Sequence, residues 1–166
     1  SNFILGQSVW INEIHYDNDG VDNGECIEIA GTAGTDMTCY SIILYNGNND
    51  STYDTDALSG AIPDEGCGFG VISICYSSDG IQNGGSDGIA LYNSCTSTVI
   101  QFLSYEGTLT PINGPASGMT SIDIGVQESN SAAYPTGSSM QLIGLGLTYG
   151  EFSWQSAGNT SSFGTL

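Results

Sequence analysis

Eighteen Asp and Glu residues share this 166-residue chain with no Lys, no Arg and a single His, for a formal charge of -18. A chain of this size with average usage carries about 20 basic residues. Their absence removes the side chains that grip phosphate, so DNA and RNA are excluded as partners. It also removes every permanent cation that could neutralise clustered carboxylates. Two readings of the acids follow: a solvated surface kept soluble by self-repulsion, or carboxylates balanced by divalent metal ions.

The length fits one domain with a full hydrophobic core. Hydrophobic content of 39% argues against disorder, and no apolar run reaches the length of a membrane span. Val9 to Tyr16 reads as a strand of β-branched and aromatic residues that runs into an acidic turn. Further strands are expected at 26–30, 40–45, 53–58, 69–76, 89–92 and 99–104, with a short edge segment at 122–126 and a closing pair at 139–143 and 148–155. Asp-Gly and Asn-Gly dipeptides punctuate them, and no stretch has a helical period with caps. Many short strands with glycine-rich turns predict an all-β sandwich of about eight or nine short strands. Residues 1–8 form a separate N-terminal segment that either packs as an edge strand on its own domain or adds to the sheet of a neighbouring subunit, and residues 9–166 form the sandwich domain.

Five cysteines stand at positions 26, 39, 67, 75 and 95. With no CxxC pair and one His, they do not read as a zinc site. Cys26, Cys39, Cys67, Cys75 and Cys95 are instead candidates for two disulfides and one leftover thiol, their pairing open. That suits an extracellular protein, and a chain that begins with Ser reads as a mature product whose signal peptide is gone.

Several motifs occur in a telling order: Ile11-Asn12-Glu13-Ile14, Asp17-Asn18, Gly24-Glu25-Cys26-Ile27-Glu28-Ile29, Leu44-Tyr45-Asn46-Gly47, Asp87-Gly88-Ile89-Ala90-Leu91, Phe102-Leu103-Ser104-Tyr105-Glu106-Gly107, Asp123-Ile124-Gly125-Val126 and Ser139-Met140-Gln141-Leu142. Together they resemble the lamin tail domain family, the bacterial extracellular members above all, over residues 9–166. The resemblance implies an immunoglobulin-like β-sandwich and does not imply an enzyme. Such domains resemble accessory modules on secreted nucleases, phosphatases and surface proteins. The chain departs from the family at Cys26, where an aromatic is usual, at Cys39-Tyr40 in place of Gly-Trp, and at Phe163-Gly164 in place of Pro-Gly. The cysteines therefore look like an added framework.

Asp17, Asp19, Asp22 and Glu25 fall within nine residues and are the candidate metal ligands, with Ca2+ as the expected ion. The offsets do not match an EF-hand, and an acidic hairpin turn bonded through its own Asp and Asn side chains reads the same loop without a metal. His15 reads as a surface or satisfied strand side chain, with a metal ligand or a base as the other reading, and no Ser/His/Asp arrangement is visible. The aromatics Trp10, Tyr16, Tyr40, Tyr45, Tyr53, Tyr92 and Trp154 read mainly as core, with a sugar-stacking face as the other reading. Asn49 and Asn159 open N-glycosylation sequons.

The functional expectation is a secreted, non-enzymatic structural subunit that associates with itself, into a filament, through Phe3, Ile4 and Leu5. A chain with no Lys or Arg also gives trypsin-like proteases no cleavage site, which suits a long-lived extracellular polymer. The alternative is a calcium-assisted module that binds glycans or cell surfaces.

Overall fold

The computed structural model describes residues 8–166. Phe3, Ile4 and Leu5 lie outside the described residues. Two five-stranded sheets pack face to face as an all-β sandwich. The strands are β1 (Val9–His15), β2 (Cys26–Thr32), β3 (Tyr40–Asn46), β4 (Ser51–Ala57), β5 (Phe69–Cys75), β6 (Gly88–Asn93), β7 (Thr98–Ser104), β8 (Ile122–Asp123), β9 (Ser138–Gly144) and β10 (Phe152–Thr160). The first sheet has the order β10-β9-β1-β2-β5 and the second β4-β3-β6-β7-β8. With β1, β2 and β5 in the places of strands A, B and E, and β3, β6 and β7 in those of C, F and G, this is an immunoglobulin-type arrangement. The β9–β10 hairpin extends the first sheet beyond β1.

Among the described residues ten strands form where eight or nine were expected, and two segments differ from expectation. The edge segment expected over 122–126 pairs only at Ile122 and Asp123, parallel to β7. The last strand starts later and runs farther than 148–155. The Glu151 carboxylate folds back onto the amides of Leu147 and Thr148 and the Thr148 hydroxyl, at 2.8–2.9 Å, and so holds Tyr149–Glu151 as a 3₁₀ turn.

Alternation along the strands makes the inner core. Ile11, Ile14, Ile27, Ile29, Ile42, Leu44, Ile89, Leu91 and Leu103 meet between the sheets, each no more than 2% exposed. Burying a side chain of this size stabilises the fold by about 1.5–3 kcal/mol. In β1 the alternation slips once, because the register with β2 shifts between Ile11 and Glu13. The bulge at Asn12 lets Val9, Ile11, Ile14 and Tyr16 all reach the inner cluster. Trp10 packs in a separate cluster with Ala30 and Val71.

The outer faces are covered as well. On the second sheet, Leu109 and Ala116 close over Ile43, Tyr45, Ala90 and Phe102. The Tyr45 hydroxyl receives the Ala116 amide at 3.0 Å and pins that loop. On the first sheet, the C-terminal residues lie against two buried carboxylates. Glu13 receives the amide and hydroxyl of Ser162 at 2.8 and 2.7 Å, and Glu28 receives the Gly164 amide at 2.7 Å.

Four of the five cysteines pair, as expected: Cys26 with Cys75 and Cys39 with Cys95. The first joins directly opposed residues of β2 and β5, and Cys67 is free and exposed. The Cys26–Cys75 bridge closes a separation of 49 residues, for which chain entropy gives a stabilisation of about 4 kcal/mol. Replacing both with Ala should lower the unfolding free energy in urea by that order. A loss below about 1 kcal/mol would show that the β2–β5 ladder already supplies the constraint.

Candidate functional site

The acidic turn after β1 sits at one end of the sandwich and is tied down by its own amides. The Asn18 amide donates to Asp22 Oδ1 at 3.0 Å, and Asn23 donates to Asn18 Oδ1 at 2.9 Å. From outside the turn, Asn83 Nδ2 donates to Asp22 Oδ2 at 2.9 Å and the Asp19 amide donates to the Tyr134 carbonyl. The local bonding expected of an Asx-rich turn is therefore present.

The four expected metal ligands do not converge. Asp19 is exposed. Glu25 is fully buried, but its two oxygens each take an amide of the neighbouring loop, Gly80 and Ile81, at 2.8 Å. Only Asp17 and Asp22 come together, both 5% exposed. Among the described residues no three Asp, Glu, His or Cys side chains are grouped to hold a metal ion as they stand. The reason is the amide supply: a carboxylate that caps two backbone N–H groups is no longer free to turn toward its neighbours.

Next to this pair lies a network that no local sequence pattern announces. Glu128, 0% exposed, reaches in from the loop before β9. It accepts His15 Nδ1 at 2.9 Å with one oxygen, and the amides of Tyr16 and Asp17 at 2.7 and 3.1 Å with the other. His15 Nε2 faces the Asn23 carbonyl at 3.2 Å. Both ring nitrogens thus meet acceptors, an arrangement that fits the imidazolium. Burial alone lowers the His15 pKa, but the hydrogen bond and charge of Glu128, with help from Asn18 and Asn23, outweigh it and raise the pKa above 6.5. This is the only ion pair among the described residues. The Tyr16 hydroxyl donates to Glu106 Oε1 at 2.7 Å and receives the Glu128 amide at 2.9 Å, while its ring stacks on Tyr105 with centroids 3.8 Å apart. His15 is thus satisfied, one of the two expected readings, and it is buried, not on the surface.

Asp17 is less well served. Its Oδ1 has no hydrogen-bond donor, and burial together with Asp22, Glu128 and Glu106 pushes its pKa up to about 6. No Lys or Arg is present to offset this.

A second feature lies along β7. Among the described residues, β8 pairs with β7 only at Leu103 and Ser104. Beside β7 runs a groove of about 270 Å³ lined by Val99, Phe102, Leu103, Met119, Ile122 and Tyr149. Met119 and Ile122 are 41% and 65% exposed on its rim.

The remaining predicted positions are dispersed. Trp10, Tyr16 and Tyr45 are core, and Tyr40, Tyr53, Tyr92 and Trp154 are half-buried. Asn49 is exposed at the β3–β4 turn, whereas Asn159 is half-buried in β10 and donates to the Ser156 carbonyl. No family model matches the chain, and neither does any curated protein or solved structure. The ordered motifs alone carry the lamin tail resemblance.

Because the folded-state pKa of His15 is raised, its stabilisation is fully present below the unfolded value of 6.5 and is lost as pH rises through the folded value. In EDTA-containing buffer, the stability difference between the wild type and His15→Gln should therefore be larger near pH 5.5 than near pH 8.5. Urea titrations at those two values check this, and an equal difference at both would mean that His15 does not carry the charge.

Proposed function

We propose that this chain is an extracellular, non-enzymatic structural subunit that polymerises, residues 1–7 of one copy engaging the apolar rim formed by Met119 and Ile122 on the next. That rim, beside the groove along β7, carries this reading. The groove lining is mostly apolar, with Gln101 and Thr120 among it, and Met119 and Ile122 are exposed. Residues 1–7 include the apolar run Phe3-Ile4-Leu5, which suits an apolar contact. Ser8, the first described residue, accepts the Thr32 amide at 2.9 Å. A head-to-tail contact of this kind produces an open polymer when its rotation does not close. Two disulfides suit the oxidising space outside the cell, and the order of motifs supports a lamin-tail-like module as the scaffold.

Sedimentation velocity and negative-stain electron microscopy test the reading. The full chain should form fibres, and a chain lacking residues 1–7 should remain monomeric with the same circular dichroism. Met119→Asp with Ile122→Asp should block assembly without unfolding, because both side chains lie on the surface. Monomers of the full chain at every concentration would refute polymerisation. Fibres that persist after the deletion would refute the segment as the link.

The alternative, a calcium-assisted module for glycans or cell surfaces, draws support from the unsatisfied Asp17 oxygen. The aromatic face it would use is thinned by the burial of Trp10, Tyr16 and Tyr45 in the core.

A further inference from the structure

The most exposed large apolar side chain among the described residues is Leu145, at 97%. It stands in the turn between β9 and β10, and that turn is held in place. Glu151 accepts the amides of Leu147 and Thr148, and a side chain at Gly146 would collide with Glu151. Leu147 and Leu166 are 66% and 63% exposed. All three leucines border a cavity of about 340 Å³ whose aromatic lining is Trp10, Phe69 and Phe152, and the free thiol of Cys67 lies on the same lining. Clustered exposed apolar residues of this kind mark a contact site. No acidic side chain lines the cavity. Residues 137–166 hold one acid, Glu151, and it is turned back onto the amides of its own turn. On the other flank Asp64 is bonded to the Gly66 and Gly68 amides, and Glu65 to those of Val71 and Leu166.

We propose that two copies of this chain join about a two-fold axis through this face, Leu145 of each entering the cavity of the other, with the two Cys67 thiols at the same junction. Charge selects the occupant. A basic protein is drawn to the acids elsewhere on the surface. A second copy, with charge -18 and no Lys or Arg, is repelled by those acids and meets least repulsion here. The face is also self-complementary, because it holds both a projecting side chain and a cavity, as a two-fold contact requires. The thiol left over by the two disulfides then meets its own kind. One Cys67 thiolate attacks a low-molecular-weight disulfide and releases a small thiol. The Cys67 thiolate of the second copy displaces the other small thiol. The protein thiols are oxidised to one bond, and the small disulfide is reduced to two thiols that carry off both protons.

Sedimentation velocity of the full chain carrying Met119→Asp and Ile122→Asp tests the contact, because those changes remove the rim proposed for polymerisation and leave this face intact. The variant should form a dimer that tightens as NaCl is raised, since acids flanking the face repel across the axis. Adding Leu145→Asp should weaken the dimer about tenfold or more with unchanged circular dichroism, the side chain being in water in the monomer. Adding Cys67→Ser instead should keep the dimer and abolish the covalent band that oxidised glutathione produces on a non-reducing gel. The proposal is overturned by monomers at every concentration and salt, or by a dimer indifferent to Leu145→Asp. It is overturned too by equal covalent dimer with and without Leu145→Asp, which marks chance collision of exposed thiols. Native mass spectrometry that finds an apolar small molecule held by a monomer also overturns it, by giving the cavity another occupant.

Discussion

Burying a carboxylate without a cation is the constraint on which this structure depends. In an average protein a buried Glu meets an Arg or a Lys. Here the same task falls to backbone amides, hydroxyls and carboxamides, which satisfy an anion by hydrogen bonding to its charged form. The consequence is architectural. An amide donor belongs to a particular stretch of main chain, so each buried acid fixes a loop. Glu25 fixes the loop at Gly80 and Ile81, Glu13 and Glu28 fix the C-terminal residues, and Glu128 fixes the start of the acidic turn. The acids act as clips between sequence-distant segments, in addition to any role as solubilising surface.

Strand β1 shows how this combines with packing. Its bulge at Asn12 keeps Ile11 and Ile14 both directed to the core, and it leaves Trp10, Glu13 and His15 to be covered from the other side. That cover comes from three directions: Phe69 and Phe152 over Trp10, Ser139 and Ser162 over Glu13, and Glu128 over His15. A strand buried on both faces requires polar residues with partners on one of them, and Glu13 and His15 meet that need, while the indole N–H of Trp10 finds no acceptor among the described residues.

Much of the fold was legible because the signals are local. Period-2 runs and Asp-Gly or Asn-Gly turns mark β1 to β7 to within a few residues, and the count of cysteines left one unpaired as expected. The candidate site was legible only in part. Asp17 and Asp22 were singled out by spacing, but spacing does not reveal that amides 55 and 56 residues downstream claim Glu25, or that Glu128 arrives from 113 residues beyond His15. Clustering in sequence places acids near one another, and the backbone they cap decides which way they point. The groove beside β7 was invisible for a similar reason. Its walls come from β7, the 119–122 stretch and Tyr149, which only the closed sandwich brings side by side.

These observations bear on how a chain of charge -18 tolerates copies of itself. Self-repulsion at physiological salt acts over about 8 Å, so it opposes broad face-to-face contact more than the insertion of a thin neutral strand. Residues 1–7 carry no ionisable side chain, and the lining of the groove beside β7, Gln101 and Thr120 included, has none but the weakly acidic phenol of Tyr149. Four of the acids, Asp17, Asp22, Glu106 and Glu128, gather instead at the far end of β1. In the proposed polymer a subunit is strongly acidic overall and still presents one neutral, apolar contact. The absence of basic residues then favours that contact by weakening every alternative: no Lys or Arg on one copy is available to pair with the acids of another, so non-specific salt-bridged association is suppressed.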